Sequence, residues 1–365
     1  MRKIFFLLLT ATFLWSCQNQ NFTIQGTVDN AFDGTYAYLQ EITETGEQRT
    51  LQTALIQNGT FTFTGVADNT LVVVSLGEMP DPQNTVPVIL ESGTIRITFG
   101  EETSVAGTRI NTLFHEFRTE QLKISEKMMS IAQRFYEKHV AGTLTDELAN
   151  EIRAEHAKVS EELQELNVRF IRNNIDNAAG RWLLRVTINN LSLEIQEELL
   201  ALTDDSFRAK ADIARIIARI ESAQKVAVGQ KFTNFTLPNP EGEEVSLSDF
   251  AGQGNYTLVV FWATWCGPCI QSIPQLREIY ARYQNRGFEM VGVSFDRDHD
   301  ALVNGIREYN ITWPQMVDLN RANSTWDLYA IRGIPHTVLL NREGYIIANS
   351  LRGEALDNKL AELMP

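Results

Sequence analysis

The sequence predicts a multidomain chain: an N-terminal antiparallel β domain, a central α-helical segment and a C-terminal α/β domain. Its 365 residues are enough for two or three domains at about 150 residues each. The apolar pattern changes twice, from alternation to a helical period and then to strands that alternate with helices. The charge is also uneven, with 2 basic and 11 acidic side chains in residues 18–105 but 12 and 16 in residues 223–365.

The overall composition excludes two classes of protein. A content of 44% apolar and 21% charged residues is typical of a packed globular chain and not of a disordered one. The net charge of −14 repels a phosphate backbone, so we expect no nucleic-acid partner. Three cysteines are too few for a disulfide scaffold, and because their number is odd, at least one has a separate role.

Residues 1–17 have the pattern of a secretory signal. Arg2 and Lys3 precede the apolar run Ile4–Trp15, and twelve helical residues span about 18 Å, short of the roughly 30 Å of a bilayer core. The run ends in Leu14-Trp15-Ser16-Cys17, which resembles the lipobox of bacterial lipoproteins. The resemblance implies cleavage before Cys17 and a lipid anchor on its thiol, in the cell envelope facing the periplasm. The uncharged residue that follows favours the outer membrane; the alternative is a chance cysteine after an apolar run.

Residues 22–105 predict a β sandwich that serves as an accessory module. Its β-type segments are Phe22–Val28, Thr60–Thr64, Thr70–Leu76 and Val86–Phe99. Asn58-Gly59 predicts a hairpin turn. A structural or docking role is the first interpretation, and binding of a peptide or glycan stays open beside it.

Residues 106–222 have a helical period. The apolar positions recur every three or four residues, at Leu113, Phe117, Ile124, Met128, Ile131 and Phe135. Thr145-Asp146-Glu147 predicts a helix start. His139 and His156 lie among charged residues and are expected at the solvated surface, so no metal site is predicted here.

Residues 223–365 contain the chemistry. The apolar run Tyr256–Phe261 predicts a buried strand, and Trp265-Cys266-Gly267-Pro268-Cys269 follows it and opens a helix over Pro268–Tyr283. The other predicted elements are a hairpin at Asn234–Pro238 and Glu244–Ser248, strands at Phe288–Phe295, Thr337–Leu340 and Tyr345–Ala348, and helices at Ala301–Tyr309, Thr325–Ala330 and Glu354–Leu363.

The spacing of Cys266 and Cys269 suits thiol–disulfide exchange. Two cysteines with two residues between them at a helix start can close a small disulfide, and the helix N-terminus stabilises a thiolate at Cys266. We therefore expect Cys266 to attack a substrate disulfide and Cys269 to resolve the mixed disulfide. Pro268 fits the first turn, where its missing N–H costs nothing, and Trp265 is expected to shield the site. A zinc site and an inert structural disulfide remain as alternatives.

These residues resemble the thioredoxin-like proteins of the TlpA/ResA type over about residues 225–365. The marks are Phe261-Trp262-Ala-Thr-Trp265-Cys-Gly-Pro-Cys269, then Pro274, and Pro335 before a strand. The order of signal, β domain and helices is also similar to lipoproteins of Bacteroidetes-like bacteria. The family likeness implies a cis Pro335 that places the backbone of Ile334 beside Cys266, where it pairs with an extended substrate.

Two positions depart from these relatives. Thioredoxins have an aspartate six residues before the first cysteine, where this chain has Val260, and TlpA/ResA-like proteins commonly have a glutamate where this chain has Ser272. The usual carboxylate proton acceptor for Cys269 is therefore absent from both places. Glu278 is expected to be solvated, and His336 is either a partly exposed strand residue or a group that tunes the thiolate.

The resulting interpretation is a membrane-anchored thiol–disulfide oxidoreductase that reduces protein or peptide disulfides and needs no bound cofactor. It implies a transmembrane electron donor, because cytoplasmic thioredoxin cannot reach it. One alternative is a peroxiredoxin-like peroxidase, although Ala263 stands where that chemistry wants a threonine, with Thr264 one place off. The other is a non-catalytic surface lipoprotein that binds a partner or a glycan.

Overall fold

The computed structural model describes residues 20–43, 47–77, 81, 84–319 and 324–365. The chain forms two compact units, which meet in sequence between Asp204 and Asp205. Cys17 and the predicted signal lie outside the described residues. Among the helices of the described part, none has the length and apolar character needed to cross a membrane.

The N-terminal unit begins with a β sandwich. Its strands are β1 (Asn21–Thr27), β2 (Tyr36–Ile42), β3 (Gln48–Leu55), β4 (Thr60–Val66), β5 (Leu71–Leu76), β6 (Thr85–Ile89), β7 (Gly93–Thr98) and β8 (Ser104–Ala106). They form two four-stranded sheets, in the orders β4-β1-β7-β8 and β3-β2-β5-β6. Residues such as Ile24 and Ile95 from one sheet and Leu39 and Val72 from the other share a single buried core. The sheets are not wholly antiparallel as predicted, because β1 and β7 run parallel.

The predicted turn at Asn58-Gly59 forms, but the hairpin prediction is wrong. Both residues have positive φ, 53° and 65°, and both of their amides donate to the carboxylate of Asp33, at 3.1 and 2.8 Å. A single bridge joins Gln57 to Thr60. Beyond that bridge β3 pairs with β2, whereas β4 pairs with β1. The turn therefore carries the chain from one sheet of the sandwich to the other.

The α-helices in the described part of this unit are α1 (Arg109–Val140), α2 (Asp146–Asn174), α3 (Ala178–Thr187) and α4 (Leu193–Ala201). The predicted start of α2 is confirmed, since the Thr145 hydroxyl accepts the Leu148 amide at 3.2 Å. The Asn111 side chain joins α1 to the sandwich, because it accepts the Ile89 amide at 2.9 Å and donates to the Ile89 carbonyl at 2.8 Å. It thus pairs with β6 as a neighbouring strand would.

The C-terminal unit is an α/β domain. Its helices are α5 (Asp205–Arg208), α6 (Ala211–Lys225), α7 (Gly267–Tyr283), α8 (His299–Glu308), α9 (Thr325–Leu328) and α10 (Gly353–Leu363). Its strands are β9 (Thr236–Pro238), β10 (Glu244–Ser246), β11 (Tyr256–Trp262), β12 (Phe288–Ser294), β13 (Gln315–Val317), β14 (His336–Leu340) and β15 (Ile346–Asn349). Short β13 was not predicted, since three residues are too few to show a period.

The central sheet of this unit has the order β13-β12-β11-β14-β15. Strands β11, β12 and β13 are parallel, whereas β14 and β15 are antiparallel to their neighbours. One face is covered by side chains of α7 and α10, including Leu276 and Leu360. The other face is covered by residues such as Leu247 and Tyr329. Because both faces are buried, β11 is apolar apart from Thr257, which agrees with the buried strand that the sequence predicts.

Candidate active site

A disulfide between Cys266 and Cys269 lies at the start of α7, just beyond the carboxyl end of central strand β11. The two Cα atoms are 5.2 Å apart. Cys266 is 5% exposed and Cys269 is 1% exposed, so the second sulfur lies deeper. The carboxyl ends of parallel strands are the usual place for a site in an α/β fold.

The helix N-terminus meets the first sulfur directly. Cys266 is the N-cap residue of α7, and its Sγ accepts the Cys269 amide at 3.2 Å. Its carbonyl accepts the amides of Cys269 and Ile270 at 2.9 and 3.1 Å. Pro268 lies in the first turn, as predicted. When the disulfide is reduced, the same amide and the positive end of the helix dipole stabilise a thiolate on Cys266.

The rim of the site is formed by an indole and a proline loop. Trp265 is 61% exposed, so it stands beside Cys266 as a side chain open to a partner. The Ile334–Pro335 peptide bond is cis, as the family likeness implied. Ile334 packs against the cluster that contains both cysteines, and Arg352 donates a hydrogen bond to the Pro335 carbonyl. A Cβ at Gly267 would meet no atom within 4 Å, so the space over that residue is open.

A buried carboxylate fixes the loop that leads to Cys266. Asp296 is 1% exposed and follows β12. Its two oxygens accept the Thr264 amide at 3.0 and 3.1 Å, and they also accept the hydroxyls of Thr264 and, at 2.7 Å, Ser294. These hydrogen bonds join residues 32 positions apart in sequence. Asp296 was not singled out in the sequence, where a polar residue shortly after a buried strand was the one available signal.

A hydrogen bond between two side chains that are distant in sequence fixes the end of β11. The Trp262 indole donates to the Gln315 side chain on β13 at 2.9 Å. Gln315 reaches across β12 because Gly292 lies beneath it: a Cβ at that glycine would come within 2.1 Å of the Gln315 amide oxygen. Gly292 is therefore required for close approach.

His336 lies at the start of β14, directly after Pro335. Its Nδ1 is 3.0 Å from the Ser350 hydroxyl. Burial, and then the positive charge of Arg352, lower the pKa of His336 to about 4. The imidazole is neutral at neutral pH, so it adds no positive charge that would stabilise a nearby thiolate.

No carboxylate occupies the two positions where relatives have a proton acceptor. Val260 is a buried side chain of β11. The Ser272 hydroxyl donates to the Cys269 carbonyl at 2.7 Å, so its hydrogen is committed to the helix backbone. Glu278 is exposed, as predicted.

The carboxylates that lie close to His299 in sequence do not come together in the structure. Asp296 is turned into the protein, whereas Asp298 caps α8 by accepting the Asp300 amide at 2.9 Å. His299 lies 2.8 Å from the Pro240 carbonyl through Nε2. Within the described ranges no three His, Cys, Asp or Glu side chains are grouped so as to hold a metal ion.

Comparison with known proteins finds similarity over two stretches of the chain. Residues 228–349 match the AhpC/TSA family, and residues 22–114 match a domain of unknown function, DUF4369. ResA, a thiol-disulfide oxidoreductase of Bacillus thuringiensis subsp. konkukian, is 28% identical over 141 residues, which are 39% of this chain and 79% of that protein. ResA of Bacillus subtilis is 30% identical over 124 residues, which are 34% and 67% of the two chains. A thiol-disulfide oxidoreductase structure from Bacteroides fragilis is 35% identical, covers 37% of this chain and 99% of its own, and has a TM-score of 0.35.

The thioredoxin-like domain and these relatives together define a redox enzyme that exchanges thiols and disulfides. Through its C-terminal domain, the chain belongs to the family of ResA-like thiol-disulfide oxidoreductases.

Proposed function

We propose that this enzyme is a lipid-anchored, extracytoplasmic reductase of protein disulfides, with Cys266 as its nucleophile and Cys269 as its resolving residue. The observation that carries the proposal is the contact between the Cys266 sulfur and the Cys269 amide at the N-terminus of α7. A sulfur that accepts a backbone N–H at a helix start is held where negative charge is stabilised. The deeper position of Cys269 suits the residue that acts second.

The reduced enzyme starts the reaction. The Cys266 thiolate attacks one sulfur of the substrate disulfide; that bond breaks, and the other substrate sulfur leaves as a thiolate and takes a proton. A mixed disulfide now joins Cys266 to the substrate. The Cys269 thiolate then attacks the Cys266 sulfur, the mixed disulfide breaks, and the second substrate sulfur leaves and is protonated. Two electrons have passed to the substrate, and the Cys266–Cys269 disulfide has formed, which is the bond present in the structure.

The surrounding residues serve this exchange in different ways. Ile334, before the cis Pro335, offers main-chain atoms with which an extended substrate pairs beside Cys266. Gly267 leaves the approach open and Pro268 fits the first turn without loss of a hydrogen bond. Trp265 shields the sulfur from one side. Because Val260 and Ser272 replace the usual carboxylates, the proton of Cys269 leaves to water or to a group on the substrate.

The N-terminal sequence supports the proposed location, and that location implies the proposed electron supply. The charged start, short apolar run and Cys17 support a secreted lipoprotein held at a membrane surface by acyl chains, with the outer membrane favoured. An enzyme outside the cytoplasm has no access to cytoplasmic thioredoxin. Each turnover consumes two electrons, so the proposal requires a transmembrane dithiol donor that reduces the Cys266–Cys269 disulfide.

A pair of matched variants tests the assignment of the two sulfurs. Cys269→Ser removes only the resolving sulfur, so the mixed disulfide on Cys266 accumulates and is visible as a covalent adduct by non-reducing mass spectrometry. Cys266→Ser is the control, because it keeps one sulfur in the same motif but leaves only the deeper one, that of Cys269. Equal adduct on both variants, or none on either, contradicts the assignment.

Two other functions have less support from the site. A peroxidase wants a threonine hydroxyl close to the reactive sulfur, but the Thr264 hydroxyl is bonded to Asp296. A non-catalytic lipoprotein has no use for a helix-capped sulfur pair. If that function were correct, Cys266→Ser would leave the cellular phenotype intact, whereas the reductase proposal predicts its loss.

A further inference from the structure

A cleft of about 370 Å³ opens beside Trp265, on the rim of the sulfur site. Its walls are aromatic: Trp265, Phe295 after β12 and Trp326 in α9 all line it. The rings of Phe295 and Trp326 meet edge to face with centroids 5.1 Å apart, which fixes one wall. Binding pockets for small ligands are about 300–1,000 Å³, so this cleft suits a single long side chain.

One residue that lines the cleft has a carboxylate oxygen with no hydrogen-bond donor among the described residues. Asp318 lines the cleft and is 5% exposed. Its Oδ2 accepts the Ser324 hydroxyl at 2.9 Å and the Thr325 amide and hydroxyl at 2.7 Å each. Its Oδ1 is buried and has no hydrogen-bond partner among the residues that the structure describes. A buried carboxylate oxygen that lacks a donor leaves the negative charge of Asp318 poorly compensated, so this geometry favours a cation beside it in the cleft.

The charges around the cleft favour a cation. Among the lining residues that the structure describes, Asp296, Asp318 and Asp327 are acidic and Arg297 is basic. The oxygens of Asp296 are already occupied by Thr264 and Ser294. Three carboxylates against one guanidinium leave the described part of the lining negative, with Asp318 buried and Asp327 exposed.

We propose that this cleft is a substrate subsite that binds a lysine or arginine side chain of the polypeptide whose disulfide is reduced. The inference rests on the proposed function and deepens it by naming a feature of the substrate. The aliphatic stem of such a side chain packs on the indoles, the cationic head lies close to the negative charge of Asp318, and its N–H groups are directed to the exposed Asp327.

The position of the subsite sets how far the basic residue lies from the reacting cysteine. Trp265 and Cys266 are neighbours in sequence, so their Cα atoms are about 3.8 Å apart, and an extended substrate advances about 3.3 Å per residue. Because the cleft adjoins Cys266 through Trp265, we place the basic residue within about three positions of the substrate cysteine.

Peptide disulfides test the subsite. A series carries arginine at each position from three before to three after the reacting cysteine, and a matched series carries citrulline, which has the same shape without charge. We expect kcat/KM to be about tenfold higher for arginine at one or two positions, a difference of about 1.4 kcal/mol. Ratios within twofold at every position would overturn the proposal.

Variants of the cleft test whether its residues cause the ratio of kcat/KM between arginine and citrulline peptides. Asp327→Asn removes an exposed rim charge, so its fold is retained, and we expect it to lower the arginine-to-citrulline ratio at least threefold. Asp318→Asn is expected to lower the ratio further. Glu343→Gln makes the same change of charge at an exposed site outside the cleft, and should leave the ratio as it was. An equal fall in Glu343→Gln would show a general charge effect and overturn the subsite.

The small neutral disulfide of hydroxyethanethiol distinguishes a failure of the subsite from a failure of the proposed reductase function. It has no side chain for the cleft, so its reduction tests the proposed function alone. If the enzyme reduces it and shows equal rates for arginine and citrulline peptides, the subsite is wrong and the reductase stands. If neither it nor any peptide is reduced, the proposed function has failed.

Discussion

Removal of the Asp296 carboxylate should destabilise the C-terminal unit strongly. Asp296→Ala leaves the Thr264 amide, next to the site, without its acceptor, whereas the hydroxyls of Thr264 and Ser294 can rotate to other partners. A lost hydrogen bond to a charged group is worth about 1.5–3 kcal/mol, and an unsatisfied donor adds to it. We therefore expect the free energy of unfolding to fall by about 2–4 kcal/mol.

Urea unfolding of the oxidised protein, followed by tryptophan fluorescence, measures this loss. Four of the six tryptophans, Trp262, Trp265, Trp313 and Trp326, lie in the C-terminal unit, so the signal reports mainly on it. At an m-value of about 2 kcal/mol per molar urea, the midpoint should fall by about 1–2 M. Asp296→Asn keeps one acceptor oxygen and should fall about half as far.

An exposed carboxylate on the same stretch is the control. Asp300 is exposed in the first turn of α8 and approaches His299 at 3.9 Å, so Asp300→Ala should move the midpoint by less than about 0.5 M. If Asp296→Ala moved the urea midpoint no further than Asp300→Ala, the hydrogen bonds to the Asp296 carboxylate would contribute no measurable stability. That result would refute the reasoning.

Three further predictions concern other parts of the chain. Because the pKa of His336 is lowered to about 4, the unfolded chain binds a proton that the folded one does not between pH 6.5 and pH 4. Its stabilising contribution, at most about 3 kcal/mol, is present above pH 6.5 and is lost as pH falls. In urea melts, the free energy of unfolding should therefore fall less between pH 7 and pH 4.5 for His336→Phe than for the unchanged protein. An equal fall in both proteins would contradict this. Asn111→Ala removes both hydrogen bonds to the Ile89 backbone and should speed hydrogen exchange at the Ile89 amide at least tenfold, whereas unchanged exchange would show that the contact does not protect it. Ser272→Glu places a carboxylate one helical turn from Cys269 and should change the pH dependence of disulfide exchange; superimposable pH–rate profiles would refute the idea that a proton acceptor is missing.

The site could be predicted from sequence where its chemistry is local. Cys266, Cys269 and Pro268 lie within four residues, and the apolar strand before them predicts both the burial and the helix start that follows. The N-cap position of Cys266 is set by the same short segment. Such features depend on the helix terminus itself and need no distant contact.

Features that join distant residues could not be predicted in this way. Thr264 and Asp296 are 32 positions apart, and Trp262 and Gln315 are 53 apart. Their pairing depends on β11, β12 and β13 lying side by side, which the alternating pattern alone does not specify. The cleft beside Trp265 depends on the same packing, since its walls come from separate elements of the unit.

The β sandwich shows the same division. The alternation of β1 and β4 was visible, and so was the turn between Gln57 and Thr60. The choice of sheet was not: β1 pairs with both β4 and β7, one antiparallel and one parallel. A period of two fixes which side chains face the core, but many strand orders satisfy it.

The most direct test of the central claim is a glutathione-buffered redox titration of the Cys266–Cys269 pair, read by thiol alkylation and mass spectrometry on the chain that begins after Cys17. We predict one two-electron transition with a midpoint near that of thioredoxin, about −270 mV, or lower. A midpoint near about −120 mV would make the protein a donor of disulfides and contradict the reductase. A pair that does not titrate at all would contradict thiol–disulfide exchange itself.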